Sequence, residues 1–336
     1  HDVYFGTDED AVTDANTSNR TTSPYSGVWK GRRSVGAEDA NIYDPGGLEL
    51  DETYYWRIDE VDDSNADSPW VGSVWSFTVA NYIIIDTFED YGSTEELTSS
   101  WSDGGYSPGN GSCATIQLGT RQNLKPVYVG DQSMSFSYAN TVQGYPYDTY
   151  YSETEHVFDP SWDFTSADVR LLTFYFHGSS DPLHWADPIS QMYVGLKDTT
   201  DTYQEVRYGD ASGEDINDIK TAQWQEWSVP LTEFTNVELE HIASIFIGFG
   251  DRTNTTTPEG RGRVFIDEVR LYPPKCVPAY GPDADFRGHW SDTPDCTVDY
   301  ADMAYMAERW LLSDVNLPVS APGDSNLVAR WELNGN

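Results

Sequence analysis

Lysine is scarce in this 336-residue chain: Lys30, Lys125, Lys197, Lys220 and Lys275 are all there are. Lys and Arg together number 19 against 56 Asp and Glu, a formal net charge of −37. Such a surface repels nucleic acid and anionic membranes, which excludes both as partners. It favours divalent cations, high salt or a basic partner, and it also keeps a protein solvated. Apolar runs are short, none approaching the roughly 18 to 20 residues of a membrane helix. No leader-like stretch opens the chain, so it is expected to be mature, excised or incomplete. Catalytic signatures are scarce too: no nucleophile elbow, His-Glu-x-x-His helix or phosphate loop is expected. The histidines (His1, His156, His177, His184, His241, His289) are scattered. An acid pair for glycoside cleavage carries no sequence mark among so many carboxylates. The expectation is a protein that is not an enzyme.

Cysteines number three. Cys276 and Cys296 bracket a Pro/Gly-rich turn and are expected to clip it, which suits an oxidising compartment. Cys113 is left over, either buried or paired outside the chain. Sequons at Asn16, Asn19, Asn110 and Asn254 mark surface loops and candidate glycosylation. What the chain does have is Thr, Ser, Asn, Gly and Tyr, with 14% aromatic residues. That composition reads as an all-β protein, extracellular or on the cell surface.

Residues 1–80 read as strands and turns: HDVYFGT alternates, YDPGG supplies a turn, and TYYWRIDEV and VWSFTV are alternating aromatic strands. These segments resemble the second half of a fibronectin type III-like domain, without its first two strands. Residues 82–275 open with YIIIDTFEDY and close with GRVFIDEVRLY. Between them QSMSFSYAN, VRLLTFYFHG, QMYVGLKD, WQEWSVPLTEF and IASIFIGFGD are strands separated by Asp/Gly/Asn/Pro turns, a pattern of two packed antiparallel sheets. The opening Asp-x-Phe-Glu-Asp with the closing Ile-Asp-Glu-Val-Arg-Leu resembles the jelly rolls of carbohydrate-binding modules. Residues 276–316 hold PDCTVDYADMAYMAERWL, 317–326 form a Pro/Ser/Gly linker, and 327–336 resemble the first strand of a laminin G-like domain. Both ends therefore read as lying inside domains. The fold class expected is all-β: tandem β-sandwiches followed by a short helical calcium-loop-like segment.

Three sites follow. In the 276–316 stretch, Asp295, Asp299 and Asp302 stand at positions 5, 9 and 12 of an EF-hand-type loop, with Val298 at position 8. Asp299 is also a natural helix N-cap, and Met303, Met306, Ala307, Trp310 and Leu311 share one face of the helix that follows. The stretch resembles a single dockerin-like repeat, with Arg287 where a calcium ligand belongs and residues 289–294 inserted before Asp295. The second site comes with the jelly-roll resemblance. It implies neighbouring first and last strands and a structural calcium on Glu89 and Asp267, with Asp86 or Asp90 as further candidates. The third is aromatic. Sugars bind in water against ring faces, with carboxylates or amides fixing their hydroxyls. Tyr145, Tyr147 and Trp185, in loops, are preferred; Trp101, Trp162 and Trp224 are further candidates, and strand residues Trp224 and Trp227 rank below the loop residues because most tryptophans in sandwiches lie in the core. The reading is a calcium-stabilised, non-catalytic surface protein that binds a polysaccharide or cell-surface glycan or acts as a scaffold. Two alternatives stand beside it: a filament or surface-layer subunit assembling with copies of itself, and an accessory module of a polysaccharide-degrading enzyme.

Overall fold

The computed structural model describes residues 1–33, 42–105, 109–118, 126–141, 149–180, 185–186, 190–257, 259–281, 285 and 296–310. The chain divides into two units, His1–Ala279 and Tyr280–Asn336. The architecture is all-β, with three sheets whose main pairings are antiparallel.

The first sheet is made of β1 (Asp2–Gly6), β2 (Trp29–Arg32), β3 (Thr53–Asp59) and β4 (Trp75–Thr78), in the order β2-β1-β3-β4. Between β1 and β2 lies a short helix, α1 (Glu9–Asp14), where Asp8 caps by accepting from the Ala11 amide at 2.9 Å. This helix closes one face of the sheet, packing Ala11 and Val12 with Tyr4 and Val28. Arg57 is buried there, paired with Asp59 at 2.8 Å. It also donates to the carbonyls of Val12 at 2.8 Å and of Thr13 and Ala15 at 2.6 Å. Carbonyls at a helix C-terminus lack intrahelical partners, and the guanidinium supplies them. The opposite face carries rings: Phe5 stacks on Tyr54, Tyr54 on Phe77, and Trp56 on Trp75. Trp75 is 61% exposed.

The sandwich follows. Its strands are β5 (Ile83–Asp86), β6 (Trp101–Ser102), β7 (Gly109–Asn110), β8 (Cys113–Leu118), β9 (Gln132–Asn140), β10 (Thr149–Trp162), β11 (Leu171–His177), β12 (Trp185–Ala186), β13 (Met192–Asp198), β14 (Tyr203–Arg207), β15 (Trp224–Pro230), β16 (Ile242–Gly250) and β17 (Gly260–Tyr272). A helix, α2 (Thr94–Ser100), leads into β6 and is capped by Ser93. The seven-stranded sheet has the path β15-β11-β17-β9-β8, with β5 and β12 on β17. The six-stranded sheet has the path β14-β13-β16-β10-β6, with β7 on β10. Residues alternate across each pleat, so every second side chain enters the space between the sheets. Met134, Phe136, Phe174, Phe176, Trp227 and Ile266 meet Val194, Leu196, Ile245 and Ile247 there in one core.

Several strands were not anticipated, namely β2, β6, β7, β8, β10, β12 and β14, and of these β10 is the longest. β10 points Ser152, Thr154 and His156 inward, and these polar groups are satisfied by Asn140 Oδ1 and the carbonyls of Ser102 and Ser100. In the second unit, α3 (Tyr300–Trp310) begins with a reciprocal cap. Asp299 Oδ1 accepts from the Ala301 amide at 2.7 Å, and Asp302 Oδ2 accepts from the Asp299 amide at 2.9 Å. On α3 Met303 is 60% exposed, and Met306 and Ala307 are exposed too, while the Trp310 side chain and Leu311 lie outside the described residues. Asp295 and residues 317–336 lie outside the described residues.

Candidate functional site

The pleat of β15 decides the site. In WQEWSVP, Trp227 and Val229 enter the core, so Trp224, Glu226 and Ser228 face outward. The register with β11 sets His177 opposite Trp224, Tyr175 opposite Glu226 and Thr173 opposite Ser228. Tyr128, from the turn before β9, lies on Tyr175 with ring centroids 3.8 Å apart and planes 17° apart. The Trp224 ring is 5.6 Å from Tyr128, and His177 meets Trp224 edge-on at 5.3 Å. Tyr128 is 41% exposed, and Trp224, Tyr175 and His177 are half-buried, so the rings form a platform with one accessible side.

At its edge Glu226 accepts from Tyr175 Oη at 3.0 Å, Ser228 Oγ at 2.8 Å and Lys275 Nζ at 2.5 Å. Burial works against the Glu226 charge, but Lys275 and Ser228 outweigh it and hold the carboxyl below its usual range. Burial raises the Tyr175 phenol, with Tyr128 and Glu226 adding to it, so the hydroxyl stays a donor. Burial also lowers the His177 imidazole, which is therefore neutral at physiological pH. Beside Glu226 and Lys275 opens a cavity of about 390 Å³, lined further by Tyr208, Glu214, Asp218, Trp227 and Pro278. That size falls within the roughly 300–1,000 Å³ of small-molecule sites. Chemically, the face offers flat rings, a carboxylate compensated by Lys275 and hydroxyl partners, groups able to hold a sugar.

The outer face of the six-stranded sheet is filled by its own residues. Tyr193 lies where a β-carbon on Gly248 would meet its ring at 2.4 Å, and Tyr203 likewise lies 2.6 Å from one on Gly195. Tyr193 Oη donates to Glu153 at 2.8 Å, and Arg252 pairs with Glu153 at 3.1 Å. The Arg252 guanidinium lies 4.1 Å from the Tyr203 centroid. Burial raises the Glu153 carboxyl despite Arg252.

Glu89 and Asp267 are brought to one corner, because β5 pairs with β17 as the resemblance implied. Asp267 Oδ2 accepts from the Tyr128 amide at 2.9 Å and the Val129 amide at 3.3 Å. Glu89 Oε1 accepts from the amides of Asp131 and Gln132, each at 2.9 Å. Asp267 is fully buried, and its Oδ1 has no hydrogen-bond partner among the described residues. Burial, with the nearby Glu89 charge, pushes its carboxyl up to about 7. A buried oxygen without a donor, beside a second carboxylate, fits a hard cation. Asp86 is differently placed: it accepts from the Phe88 amide, Tyr91 Oη and Trp101 Nε1 at 2.5–2.7 Å.

The other anticipated residues scatter. Tyr145 and Tyr147 lie outside the described residues, as does the Trp185 side chain, although the Trp185 backbone pairs with Gly262. Trp101 is buried, Trp162 packs on Phe158, and Trp224, ranked below the loop residues, stands on the platform. Its outward direction was readable from the odd spacing to Trp227, since Trp224 shares a face with Glu226 and Ser228. Cys276 and Cys296 are each disulfide-bonded, whereas Cys113 is free and exposed rather than buried. Asn16 and Asn19 both donate to the Asp14 carbonyl. Asn110 joins β7 to β10 through the Glu153 backbone, and Asn254 donates to the Thr257 carbonyl. A Gly-x-Ser-x-Gly spelling does occur at residues 105–109, against expectation. The strand β7 follows it, not the helix of a nucleophile elbow, and residues 106–108 lie outside the described ones. No described helix is long and apolar enough to cross a membrane.

No family model and no curated protein matches the chain. Solved structures that resemble it include carbohydrate-binding modules and agarases. A carbohydrate-binding module of family 28, specific for non-crystalline cellulose, is 16% identical over 57% of this chain and 95% of that one, with a TM-score of 0.34. A family 27 module of Caldicellulosiruptor saccharolyticus in complex with mannohexaose is 14% identical over 59% of this chain and 100% of that one, TM-score 0.34. An exo-β-agarase is 13% identical over 59% of this chain, TM-score 0.37, and the match spans 25% of the agarase.

Proposed function

We propose that the sandwich is a non-catalytic, extracellular glycan-binding module whose contact face is the Tyr128–Tyr175–Trp224 platform. The observation that carries this reading is an accessible row of rings ending at Glu226 and its Lys275 partner. A pyranose would lay its C–H face on Trp224 and Tyr128 and pass hydroxyl hydrogen bonds to Glu226, Lys275 and Ser228. Titration of tryptophan fluorescence with soluble cellulosic, mannan and xylan polymers tests it. Saturable binding that Trp224→Ala weakens about tenfold, the equivalent of 1.4 kcal/mol, is expected. Equal binding by wild type and Trp224→Ala would remove the platform from the reading.

Calcium is part of the proposal. Glu89 and Asp267 would hold it, and it would staple the first strand of the sandwich to the last by neutralising two carboxylates. Chelation is then expected to lower the melting temperature of the wild type and leave Asp267→Asn unmoved. A carboxylate-led calcium loop at Asp295, Asp299 and Asp302 stays a separate proposal, checked by chelation of Asp302→Asn.

A second reading has its own observation. The ring face of the four-stranded sheet, with Trp75 and Phe77 exposed, favours a structural subunit whose sandwich is completed by a neighbouring copy. Sedimentation and electron microscopy with calcium and after chelation separate the two. Regular polymers that dissolve on chelation support the subunit; monomers support the binding module. Attachment to a polysaccharide-degrading enzyme is compatible with the first reading only.

A further inference from the structure

The cavity beside the platform contains charge that the platform does not use. Glu226 is compensated by Lys275, but among the described residues Glu214 and Asp218 have neutral donors: the Gly209 and Ala211 amides at 2.7 and 3.4 Å for Glu214, and Tyr208 Oη at 2.6 Å for Asp218. Asp210 and Asp215 lie close enough to add to the negative potential felt by Glu214 and Tyr208. A second observation points to a ligand. Trp227 is 1% exposed, lines the cavity beside Glu214, and its indole N–H has no hydrogen-bond partner within geometric limits among the described residues. A buried N–H with no acceptor is costly, and a ligand hydroxyl or ring oxygen in the cavity would satisfy it.

Resting on the platform reading, we infer that the cavity takes an amine-bearing sugar unit, so that the module prefers a cationic amino-sugar polymer over neutral or anionic glycans. The ammonium would sit between Glu214 and Asp218, and a hydroxyl of the same ring would accept from Trp227 Nε1. A bare metal ion would leave that indole N–H unsatisfied, and it makes no use of the apolar wall formed by Val277, Pro278 and Ala279. Anionic glycans are disfavoured by the two uncompensated carboxylates and by the net charge of the chain.

The test compares a glucosamine trimer, its N-acetylated form and a cellulose trimer in mildly acidic buffer of low ionic strength. Isothermal titration is run on wild type, Glu214→Gln/Asp218→Asn, and a distant control, Glu9→Gln/Asp10→Asn. The glucosamine trimer is expected to bind about tenfold more tightly than the other two. That advantage should disappear in Glu214→Gln/Asp218→Asn, survive in the control, and shrink with added salt. Single Glu214→Gln serves if the double variant is unstable, since it keeps the acceptor oxygen. Equal affinities for the three trimers, or an advantage that survives Glu214→Gln/Asp218→Asn, overturns the inference and leaves the platform reading standing. Calcium alone binding with loss in the same variant makes the cavity a metal site and also overturns it. If no trimer binds any form, the platform reading fails as well.

Discussion

The two outer faces of the sandwich are built from the same residue types and reach opposite states. On the six-stranded sheet, glycines let Tyr193 and Tyr203 lie close over the backbone, and Glu153, Arg252, Glu205 and Arg207 pair across them. On the seven-stranded sheet Tyr128 stacks on Tyr175 with Trp224 beside them, and Trp224 and Tyr128 keep one side accessible. Aromatic and acidic composition therefore does not distinguish a binding face from a structural one. What distinguishes them is whether the rings and charges already have their partners within the chain.

Substitutions on each face should separate accordingly. The largest effect belongs to the filled face: Tyr193→Ala removes a fully buried ring and should cost about 3–5 kcal/mol in urea unfolding, with glycan affinity unchanged. If Tyr193→Ala is instead tolerated and binding suffers, the two faces have been assigned the wrong way round. Next comes the Glu89–Asp267 corner. In chelator, folding raises the Asp267 carboxyl from 3.8 to about 7, so the folded protein binds the extra proton. The stability gained is complete below the lower value and lost as pH rises toward the upper one, a decline on the order of 2–4 kcal/mol. Asp267→Asn should flatten that decline, and calcium should flatten it in the wild type; chemical denaturation across this pH range checks both. On the open face Trp224→Ala should cost less than about 1 kcal/mol of stability while weakening glycan binding about tenfold. Smallest is Trp75→Ser on the four-stranded sheet, expected to stay within about 0.5 kcal/mol and to read out only in sedimentation, as reduced self-association.

Much of the sandwich was legible because its strands alternate: β9, β11, β13, β15, β16 and β17 coincide with segments marked by pattern alone. The strand β10 escaped because its inward residues, Ser152, Thr154 and His156, are polar while Tyr151 and Val157 face out. Its hydrophobic period is thereby inverted, and Pro160 interrupts its end. The helix α1 escaped for a related reason. Six residues with two apolar positions carry too little period, and a tertiary partner, Arg57, completes the helix end from another strand. For the site, the Glu89–Asp267 corner followed from the resemblance of the terminal strands. The platform did not, although the pleat of WQEWSVP contains it. Tyr128 carries no strand signal, since its place on Tyr175 depends on a turn fastened by Asp267, 139 positions away.

That turn has a consequence for how two ligands would communicate. Between Tyr128 and Gln132 the backbone amides are held by Asp267 and Glu89, and the first residue of the turn also supplies a ring to the platform. A cation at the corner and a sugar on the face would never touch, yet each would be ordering the same five residues. Linkage makes the exchange symmetric: the factor by which one ligand tightens the other is the factor returned. Mobility in this short segment, which neither ligand need contact in full, would set how strongly a cation at the corner controls sugar binding on the face.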